Sequence, residues 1–323
     1  MCTAITFKTK DSYFGRTLDI EFEIPMKVTI TPRNYPFDLR RMPSLKSHYA
    51  MIGMAMVKDG YPLYFDGANE CGLCMAGLNF PHNAHYLPEV KNKQNITPFE
   101  FIPYILSQYK NIAEVRSRLD NINLCDISFS HSLPLSPLHW IIADKNTSIT
   151  VEPTAQGVKI YDNPVGVLTN NPTFDYHMTR LCDFVNLTSQ PPENRFGNAP
   201  LKLYSRGMGG IGLPGDLSSS SRFARAAFVK LNSVCGDGED ESVSQFFHIL
   251  GSVEQQRGCV KMPDGSLELT KYTSCINADK GIYYYTTYEN RCLRAVDMHR
   301  TDLNGDKLHI YPLTDEQYIS WQN

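Results

Sequence analysis

The chain has 323 residues, of which 42% are hydrophobic and 20% are charged, and its formal net charge at pH 7 is −3. This composition is that of a globular protein and excludes disordered and fibrous classes. The chain lacks the concentrated basic region that phosphate binding requires and any run of roughly 18 apolar residues, so we expect neither a nucleic-acid nor a membrane partner.

The N-terminal segment and the cysteines both favour a cytoplasmic protein. Lys8, Lys10, Asp11 and Arg16 interrupt any apolar region of the kind that a secretory signal needs. The nine cysteines are an odd number scattered along the chain, which indicates reduced and mostly buried thiols rather than disulfides. We therefore expect a cytoplasmic location.

The first half of the chain predicts strands followed by helices. Residues 4–7 and 13–16 alternate on either side of a turn at 10–11, which predicts a β-hairpin. At Thr97 a capping residue, a proline and Glu100 precede apolar residues at helical spacing, which predicts a helix start. The other elements predicted here are strands at 27–31, 49–57 and 73–79 and a second helix at 112–119.

The second half repeats this order after a long loop at 126–137. Strands are predicted near 139–144, 148–153 and 158–162, helices at 174–185, 222–234 and 243–253, and late strands at 271–276, 281–288 and 293–298. Two runs of strands, each followed by helices, predict an α+β fold in which two sheets pack together with helices outside, in four layers. We expect residues 1–323 to form one domain with this architecture.

A C-x-x-C motif at Cys71 and Cys74 is of a type that serves redox or zinc sites. No second Cys or His pair stands at zinc spacing, and the nearby His82 and His85 form no recognised ligand pattern. Core packing is the favoured interpretation, so we expect no metal and no cofactor. A redox or metal-binding protein that uses the two cysteines stays open as an alternative of a different class.

Two glycine-containing loops match ligand-binding motifs only by letter. Residues 207–212 fit the G-x-G-x-x-G pattern of dinucleotide-binding loops, but a turn at 213–216 follows where that fold needs a helix. Residues 302–306 hint at a calcium loop, yet the glycine is one position early and the later Glu ligand is missing. We therefore predict a flexible loop at the first and an Asn-Gly hairpin turn at the second.

Cys2 follows the initiator methionine at the start of the first predicted strand, although chain termini usually fray. Removal of Met1 would leave the thiol beside a free α-amino group, whose unperturbed pKa of about 7.7–8.0 lets it accept the thiol proton. Such a thiolate can attack an amide carbonyl to give a thioester, which water then hydrolyses. Arg16 and Asp19 lie on the strand expected to pair with that of Cys2, although a surface ion pair would also explain them.

Six segments spread along the chain carry a family resemblance. They are MCT at the start, FGRTLD at 14–19, MAGLNF at 75–80, GVLTNNPTFD at 166–175, GLPGDLSSSSRF at 212–223 and GIYYYTTYEN at 281–290. In this order they resemble the choloylglycine hydrolases, a family of N-terminal-nucleophile enzymes that comprises bile salt hydrolases and penicillin V acylases. The resemblance covers essentially the whole chain and implies the family's αββα sandwich of two mostly antiparallel sheets.

The resemblance implies that Cys2 is the nucleophile and, through the amine exposed by loss of Met1, also the base. Arg16 would lie beside the thiol and support its ionised form. Asp19 would bind the α-amino group.

Three further catalytic residues are implied in the same way. The side-chain amide of Asn170 and the backbone N–H of Asn79 would bind the oxyanion, a role that amide donors suit physically. Arg222 would complete the polar network. Asn171 and Arg225 are close neighbours in sequence, so the choice within each pair depends on alignment with the family motifs.

The implied substrates are glycine- and taurine-conjugated bile salts. Asn79 favours them, because penicillin V acylases characteristically carry Tyr at the corresponding position. Penicillin V or another N-acyl amide, hydrolysed by the same Cys2 chemistry, is the alternative. The segment at 187–214 corresponds to a family loop that reaches a neighbouring subunit, which implies a homotetramer.

A steroid substrate needs an apolar and open pocket, and we expect the loops after the first strands to line it. Each candidate could equally belong to the core. The candidate substrate-binding residues are Leu18, Tyr61, Tyr64, Phe65 and Ala68 on one wall and Phe129, Leu133 and Leu135 on another.

Overall fold

The computed structural model describes residues 1–323 and consists mainly of β-strands, with five α-helices. The strands are β1 (Cys2–Lys8), β2 (Ser12–Ile20), β3 (Met26–Thr31), β4 (Met51–Lys58), β5 (Tyr61–Asn69), β6 (Cys74–Asn79), β7 (Gln94–Ile96), β8 (Ile122–Leu124), β9 (Leu138–Ala143), β10 (Ser148–Thr154), β11 (Gly157–Asp162), β12 (Val167–Leu168), β13 (Val260–Lys261), β14 (Leu267–Asn277), β15 (Ile282–Thr287), β16 (Arg294–Asp297) and β17 (His309–Pro312). The helices are α1 (Pro98–Gln108), α2 (Ile112–Leu119), α3 (Phe174–Leu181), α4 (Ser219–Asn232) and α5 (Glu239–Gly251).

Most strands belong to two large antiparallel sheets. A seven-stranded sheet has the order β12-β1-β2-β14-β15-β16, with β13 beside β14, and an eight-stranded sheet has the order β11-β10-β9-β6-β5-β4-β3-β17. The remaining strands, β7 and β8, form a separate parallel pair. Because β1 lies between β12 and β2, the N-terminal strand is an interior strand of its sheet.

The two sheets face each other, and helices cover their outer faces. β1 and β2 contact β5 and β6 across the interior, while α1 packs on β5 and β6, and α4 and α5 pack on the seven-stranded sheet. A cluster of 39 buried hydrophobic residues lies between the sheets and under α4 and α5, and a second cluster of 22 lies under α1 and α2. The predicted α+β fold with αββα layering is confirmed.

Local sequence signals account for the starts of the first two helices. Thr97 forms a capping box with Glu100 at the start of α1, and Pro98 is the first helical residue. Asn111 caps α2 by accepting a hydrogen bond from the Glu114 N–H at 3.0 Å. Both helices begin where they are predicted, and none of the helices is long and apolar enough to cross a lipid bilayer.

Strand β5 is the main element that the sequence prediction missed. It lies between β4 and β6 and is largely buried, so it lacks the alternation of a half-exposed strand. Pro62, Asp66 and Gly67 also resemble loop residues. The prediction that residues 61–68 belong to a loop is therefore wrong, which matters because several candidate substrate-binding residues lie on this strand.

Neither of the two glycine-containing loops lies between the secondary-structure elements that its ligand-binding motif requires. Within 207–212 the chain forms a single 3₁₀ turn at Met208–Gly210, and α4 begins only at Ser219, so the segment does not join a strand to a helix. The segment at 302–306 is a turn, but the strands around it, β16 and β17, belong to different sheets. The predicted hairpin there is wrong.

Candidate active site

Cys2 is held in place at the start of β1. It pairs with Leu18 of β2 in the predicted hairpin, and the residue is only 2% exposed. Its N–H donates to Asn170 Oδ1 at 2.8 Å, and its carbonyl accepts from Arg222 Nη1 at 2.5 Å. Two backbone hydrogen bonds and a buried environment therefore hold the backbone of Cys2 in place.

Met1 extends the hairpin by one residue. Its α-ammonium donates to the Asp19 carbonyl at 2.5 Å and lies 3.0 Å from Glu268 Oε1. Burial raises the pKa of Glu268, and the Met1 ammonium acts in the opposite direction. While Met1 is attached, the Cys2 nitrogen is an amide and cannot accept a proton.

Arg16 is a fully buried cation on β2. Its Nη1 donates to the carbonyls of Gly77 at 2.5 Å and Phe65 at 3.2 Å, while Nη2 has no hydrogen-bond partner. Burial acts to lower the pKa of Arg16, but the negative groups around it, with Cys2 first among them, raise that pKa above its ordinary value. The guanidinium therefore stays charged and retains an unpaired donor.

Asp66 on β5 is a buried counter-charge to Arg16 that the sequence reasoning missed. Its carboxylate accepts from the Tyr272 hydroxyl at 2.5 Å and from the Tyr283 hydroxyl at 2.7 Å. Burial raises the pKa of Asp66, and Arg16 acts to lower it. The two tyrosines are 206 and 217 positions away along the chain, so no local pattern identifies this carboxylate.

Replacing Arg16 by methionine is expected to cost about 3–5 kcal/mol of unfolding free energy, because Asp66 is left buried without its cation. It is also expected to slow alkylation of Cys2 by iodoacetamide, because the thiolate is the nucleophile and the positive charge of Arg16 that interacts with Cys2 is removed. Urea denaturation and mass spectrometry of the N-terminal peptide measure the two effects.

A double variant, Arg16→Met with Asp66→Asn, serves as the control. Removing the second charge is expected to restore most of the stability, since no uncompensated charge remains buried. It is not expected to restore the reactivity of Cys2. Recovery of both quantities would show that Arg16 acts on Cys2 only through folding.

Asp19 is fully buried and is held by two threonines. Its Oδ1 accepts from Thr270 Oγ1 at 2.7 Å, and its Oδ2 accepts from Thr17 Oγ1 at 3.2 Å. The predicted contact with the Cys2 nitrogen is not formed while Met1 is present, because that nitrogen donates to Asn170 instead. The backbone carbonyl of Asp19, rather than its carboxylate, binds the ammonium of Met1.

The two predicted oxyanion donors meet, although one is the last residue of β6 in the eight-stranded sheet and the other follows β12 of the seven-stranded sheet. Asn170 Nδ2 donates to the carbonyl of Asn79, the last residue of β6, at 2.7 Å. The Phe80 N–H donates to the Pro137 carbonyl, so the alternation of an antiparallel ladder directs the Asn79 N–H away from β9. On the other edge of β6, the pairing with β5 ends at Ala76. The Asn79 N–H therefore has no partner in a neighbouring strand.

Arg222 on α4 links Cys2 to Asn170. Its Nη1 donates to the Cys2 carbonyl, and its Nη2 donates to Asn170 Oδ1 at 2.7 Å. Burial lowers the pKa of this arginine. Asn171 and Arg225 donate to loop carbonyls instead, so the structure brings Asn170 and Arg222, rather than their neighbours, to Cys2.

Asp216 supports the start of α4, the helix that carries Arg222. Its carboxylate accepts from the Ser218 N–H at 2.9 Å and from Ser221 Oγ at 2.6 Å. Hydrogen bonds from Ser218 and Ser221 lower the pKa of Asp216 to about 2. The stabilisation is therefore present above the unfolded pKa of about 3.9 and is lost as pH falls towards 2.

Replacing Asp216 by asparagine is expected to lower the free energy of unfolding by less than about 1 kcal/mol, because the site is exposed to solvent. The difference from wild type should be present at about pH 5 and should shrink as pH falls towards about 2. Urea denaturation at the two pH values measures it. An equal difference at both would contradict the assignment of these hydrogen bonds to the ionised carboxylate.

Leu18, Phe65 and Ala68 are the candidate substrate-binding residues that belong to, or pack against, the hydrophobic cluster that contains Cys2. Leu18 belongs to the buried cluster that contains Cys2, and Phe65 packs against that cluster. Tyr64 and Ala68 are buried core residues in this structure, and the Tyr64 hydroxyl is hydrogen-bonded within the core.

Among the candidate substrate-binding residues of the second wall, Phe129 belongs to a cluster of aromatic side chains. Phe129 packs against Tyr61 and Phe99, with ring centroids 5.9 Å and 5.2 Å away. Leu133 and Leu135, on the following loop, are half-buried. The structure thus brings Tyr61 and Phe129 together.

The cysteines of the C-x-x-C motif have different environments. Cys71 is exposed and Cys74 is buried, and all nine thiols are free. Burial raises the pKa of Cys74, which disfavours its thiolate. The structure contains no group of three or more His, Cys, Asp or Glu side chains that could hold a metal ion, so the redox or metal alternative gains no support here.

Known proteins resemble this chain over almost its full length. A bile salt hydrolase/transferase from Lactiplantibacillus plantarum is 52% identical over 322 residues, which cover 99% of both chains. The crystal structure of a mutant conjugated bile acid hydrolase from Clostridium perfringens is 38% identical, covers 100% of both chains and superposes with a TM-score of 0.93. A penicillin V acylase from Agrobacterium tumefaciens, at 19% identity and a TM-score of 0.75 over 96% of this chain and 90% of that one, shares the fold.

A family model described as linear amide C–N hydrolases, choloylglycine hydrolase family, matches residues 2–311. The match includes every segment that carries Cys2, Arg16, Asn79, Asn170 and Arg222. The chain therefore belongs to the choloylglycine hydrolase family of linear amide C–N hydrolases.

Proposed function

We propose that this enzyme hydrolyses the amide bond of glycine- and taurine-conjugated bile salts, with Cys2 as the nucleophile. The observation that carries the proposal is the convergence on the buried Cys2 of the charged Arg16 and of the Asn170 amide, which is in turn bonded to Asn79. The substrate class is supported by the bile salt and bile acid hydrolases that match nearly the whole chain.

The geometry supports a two-step mechanism. The Cys2 thiolate attacks the substrate carbonyl carbon while the α-amine of the mature chain holds the thiol proton. The resulting oxyanion accepts hydrogen bonds from the Asn79 N–H and from the second hydrogen of Asn170 Nδ2. The C–N bond then breaks, the leaving nitrogen takes the proton from the α-ammonium, and a thioester remains. Water attacks the thioester, returns one proton through the amine to the Cys2 sulfur, and releases the bile acid.

Removal of Met1 is the activation step in this proposal. Only a free Cys2 nitrogen can hold the thiol proton. Asn170 Oδ1 already accepts a hydrogen bond from that nitrogen. The Asp19 carbonyl and Glu268, which bind the Met1 ammonium, would be left to stabilise the protonated amine of Cys2.

Purified mature protein should be given glycocholate, taurocholate and penicillin V in parallel, with release of glycine, taurine or phenoxyacetate measured by chromatography. We expect release of glycine and taurine. Release of phenoxyacetate alone would overturn the bile salt assignment in favour of the penicillin V alternative, and release of none of the three would overturn both.

We also propose a homotetramer assembled through the loop at 187–214. The loop exposes several large apolar side chains, which in a monomer is unusual for one segment; they are Phe196, Leu201, Leu203, Tyr204 and Ile211. Light scattering should give the mass of four chains for wild type. The variant Leu203→Asp with Tyr204→Asp should reduce that mass, and an unchanged tetramer would place the interface elsewhere.

A cytoplasmic location completes the proposal. It is supported by nine free thiols, four of them buried, because a reducing compartment keeps cysteines unpaired. Fractionation of the producing cells should find the enzyme with cytoplasmic markers, and activity in the medium or envelope fraction would contradict this location.

A further inference from the structure

Asn170 is held at every polar atom except one amide hydrogen. Its Oδ1 accepts from Cys2 and Arg222, and its Nδ2 donates to the Asn79 carbonyl. Its backbone N–H donates to Ser219 Oγ at 2.8 Å. The remaining Nδ2 hydrogen is the one available to an oxyanion, so its direction depends on how firmly the Asn170 backbone is held.

His139 on β9 binds the carbonyl that precedes Asn170. Its Nε2 lies 3.0 Å from the Thr169 carbonyl, and because a carbonyl only accepts, this nitrogen carries the hydrogen. The imidazole is fully buried and stacks on Phe80, with ring centroids 4.2 Å apart and 7° between the planes. Phe80 follows Asn79 directly, so His139 contacts the chain next to both oxyanion donors.

Glu152 on β10 orients the His139 imidazole. Its Oε1 lies 3.0 Å from His139 Nδ1 and also accepts from the Phe174 N–H at 3.0 Å. Both side chains are fully buried, where a lost hydrogen bond costs about 1–3 kcal/mol. The pair therefore joins β9 and β10 to the start of α3 and to the segment that carries Asn170.

His177 on α3 binds the next carbonyl along the chain. Its Nε2 donates to the Asn170 carbonyl at 2.8 Å, and its ring stacks on Phe223 of α4 at 4.8 Å. Burial lowers the pKa of His177 to about 4. The ring is therefore neutral in a near-neutral assay, with its single hydrogen on Nε2.

We propose that His139 and His177 are positioning residues that aim the Asn170 amide at the oxyanion. They bind the consecutive carbonyls of Thr169 and Asn170, and because both imidazoles are buried they act through Asn170. A backbone bound at two successive carbonyls holds the donor in place before reaction, so little reorganisation is needed in the transition state. This inference rests on the proposed function, since it concerns the oxyanion step of that hydrolysis.

Leucine and glutamine variants at the two positions separate the hydrogen bond from the packing. Leucine removes the N–H, whereas glutamine can place an amide N–H close to the position of Nε2. We expect His139→Leu and His177→Leu to lower kcat for glycocholate by about 10–100-fold, the effect of a small misplacement of a catalytic group. KM should change by no more than about twofold, and the glutamine variants should recover most of kcat.

Alkylation of Cys2 by iodoacetamide gives the second readout. Displacement of iodide develops no oxyanion, so in the leucine variants the alkylation rate should fall far less than kcat. The matched control is His48→Leu, in the segment that precedes β4. His48 is also buried, with its nitrogens 2.8 Å from the Tyr35 and Tyr49 carbonyls. It should lower Tm without changing kcat.

The outcomes separate this inference from the proposed function. Leucine variants with wild-type kcat would overturn the positioning role, and so would equal losses of kcat and alkylation rate that glutamine does not reverse. If the proposed function is wrong, the wild-type protein itself would release no glycine from glycocholate although its Cys2 is alkylated normally. The variant Asn170→Ala gives the upper limit of the effect, because it removes the oxyanion donor, whose loss alone lowers kcat by about 10²–10³-fold, together with the acceptor of the Cys2 nitrogen.

Discussion

Replacement of Cys2 by alanine is expected to lower kcat/KM for glycocholate by about 10⁴-fold or more, because no other group in the site can form the thioester. The fold should survive, since the hydrogen bonds that hold residue 2 are made by its backbone N–H and carbonyl, which alanine retains. Glycine release and thermal unfolding, measured on the same preparation, separate loss of chemistry from loss of structure.

Two further variants control for the identity of the thiol. Cys2→Ser keeps the size of the side chain but replaces the thiol with a hydroxyl that ionises far less readily, so it should be almost inactive. Cys71→Ser removes an exposed thiol and should leave activity unchanged. Activity of the Cys2→Ala protein would show that Cys2 is not the nucleophile. Loss of activity in the Cys71→Ser protein would support a role for the C-x-x-C motif.

Retention of a residue before Cys2 is expected to lower kcat by about 10²–10⁴-fold, the contribution of general base catalysis. The test is a chain with an N-terminal extension that a site-specific protease removes directly before Cys2. The uncut chain holds the Cys2 nitrogen as an amide, and cleavage should restore activity in step with the appearance of the mature mass. Intact mass spectrometry follows the cleavage.

The same extension placed after Asn323 is the control. The C-terminal residues, among them Tyr318 and Trp321, are exposed, so this chain should be fully active before and after protease treatment. Equal activity of the cut and uncut N-terminal chains would show that the α-amine is not the base.

The local part of the site could be predicted from the sequence. Alternation around the turn at 10–11 predicts the β1–β2 hairpin, which the structure confirms with Cys2 opposite Leu18 and Ala4 opposite Arg16. The cap at Thr97 likewise predicts the start of α1. In these cases the information lies within a few residues of the element, in side-chain periodicity or in a cap.

The remainder depends on contacts between distant segments. Asp66 resembles a loop residue in sequence, and only the tyrosines on β14 and β15 make it a buried counter-charge. His139 and Glu152 lie on predicted strands, but their polar side chains gain a function only where Thr169 and Phe174 meet them. Hydrophobic periodicity cannot predict these contacts, because they depend on how the two sheets and α3 pack together.

The hydrogen bonds of Asn170 have a consequence for how the site can be altered. Its Oδ1 accepts from the Cys2 nitrogen, which the proposed mechanism makes the base, and its Nδ2 donates to the Asn79 carbonyl, beside which that mechanism places the oxyanion. In the proposed mechanism the α-amine and the oxyanion therefore bind opposite ends of one planar amide group, and the geometry of that group sets their separation. Aspartate would retain the acceptor and lose the donor, while serine would reach neither partner. Aspartate would therefore alter the oxyanion half of the reaction alone, whereas a substitution that shortens the side chain would alter both halves together.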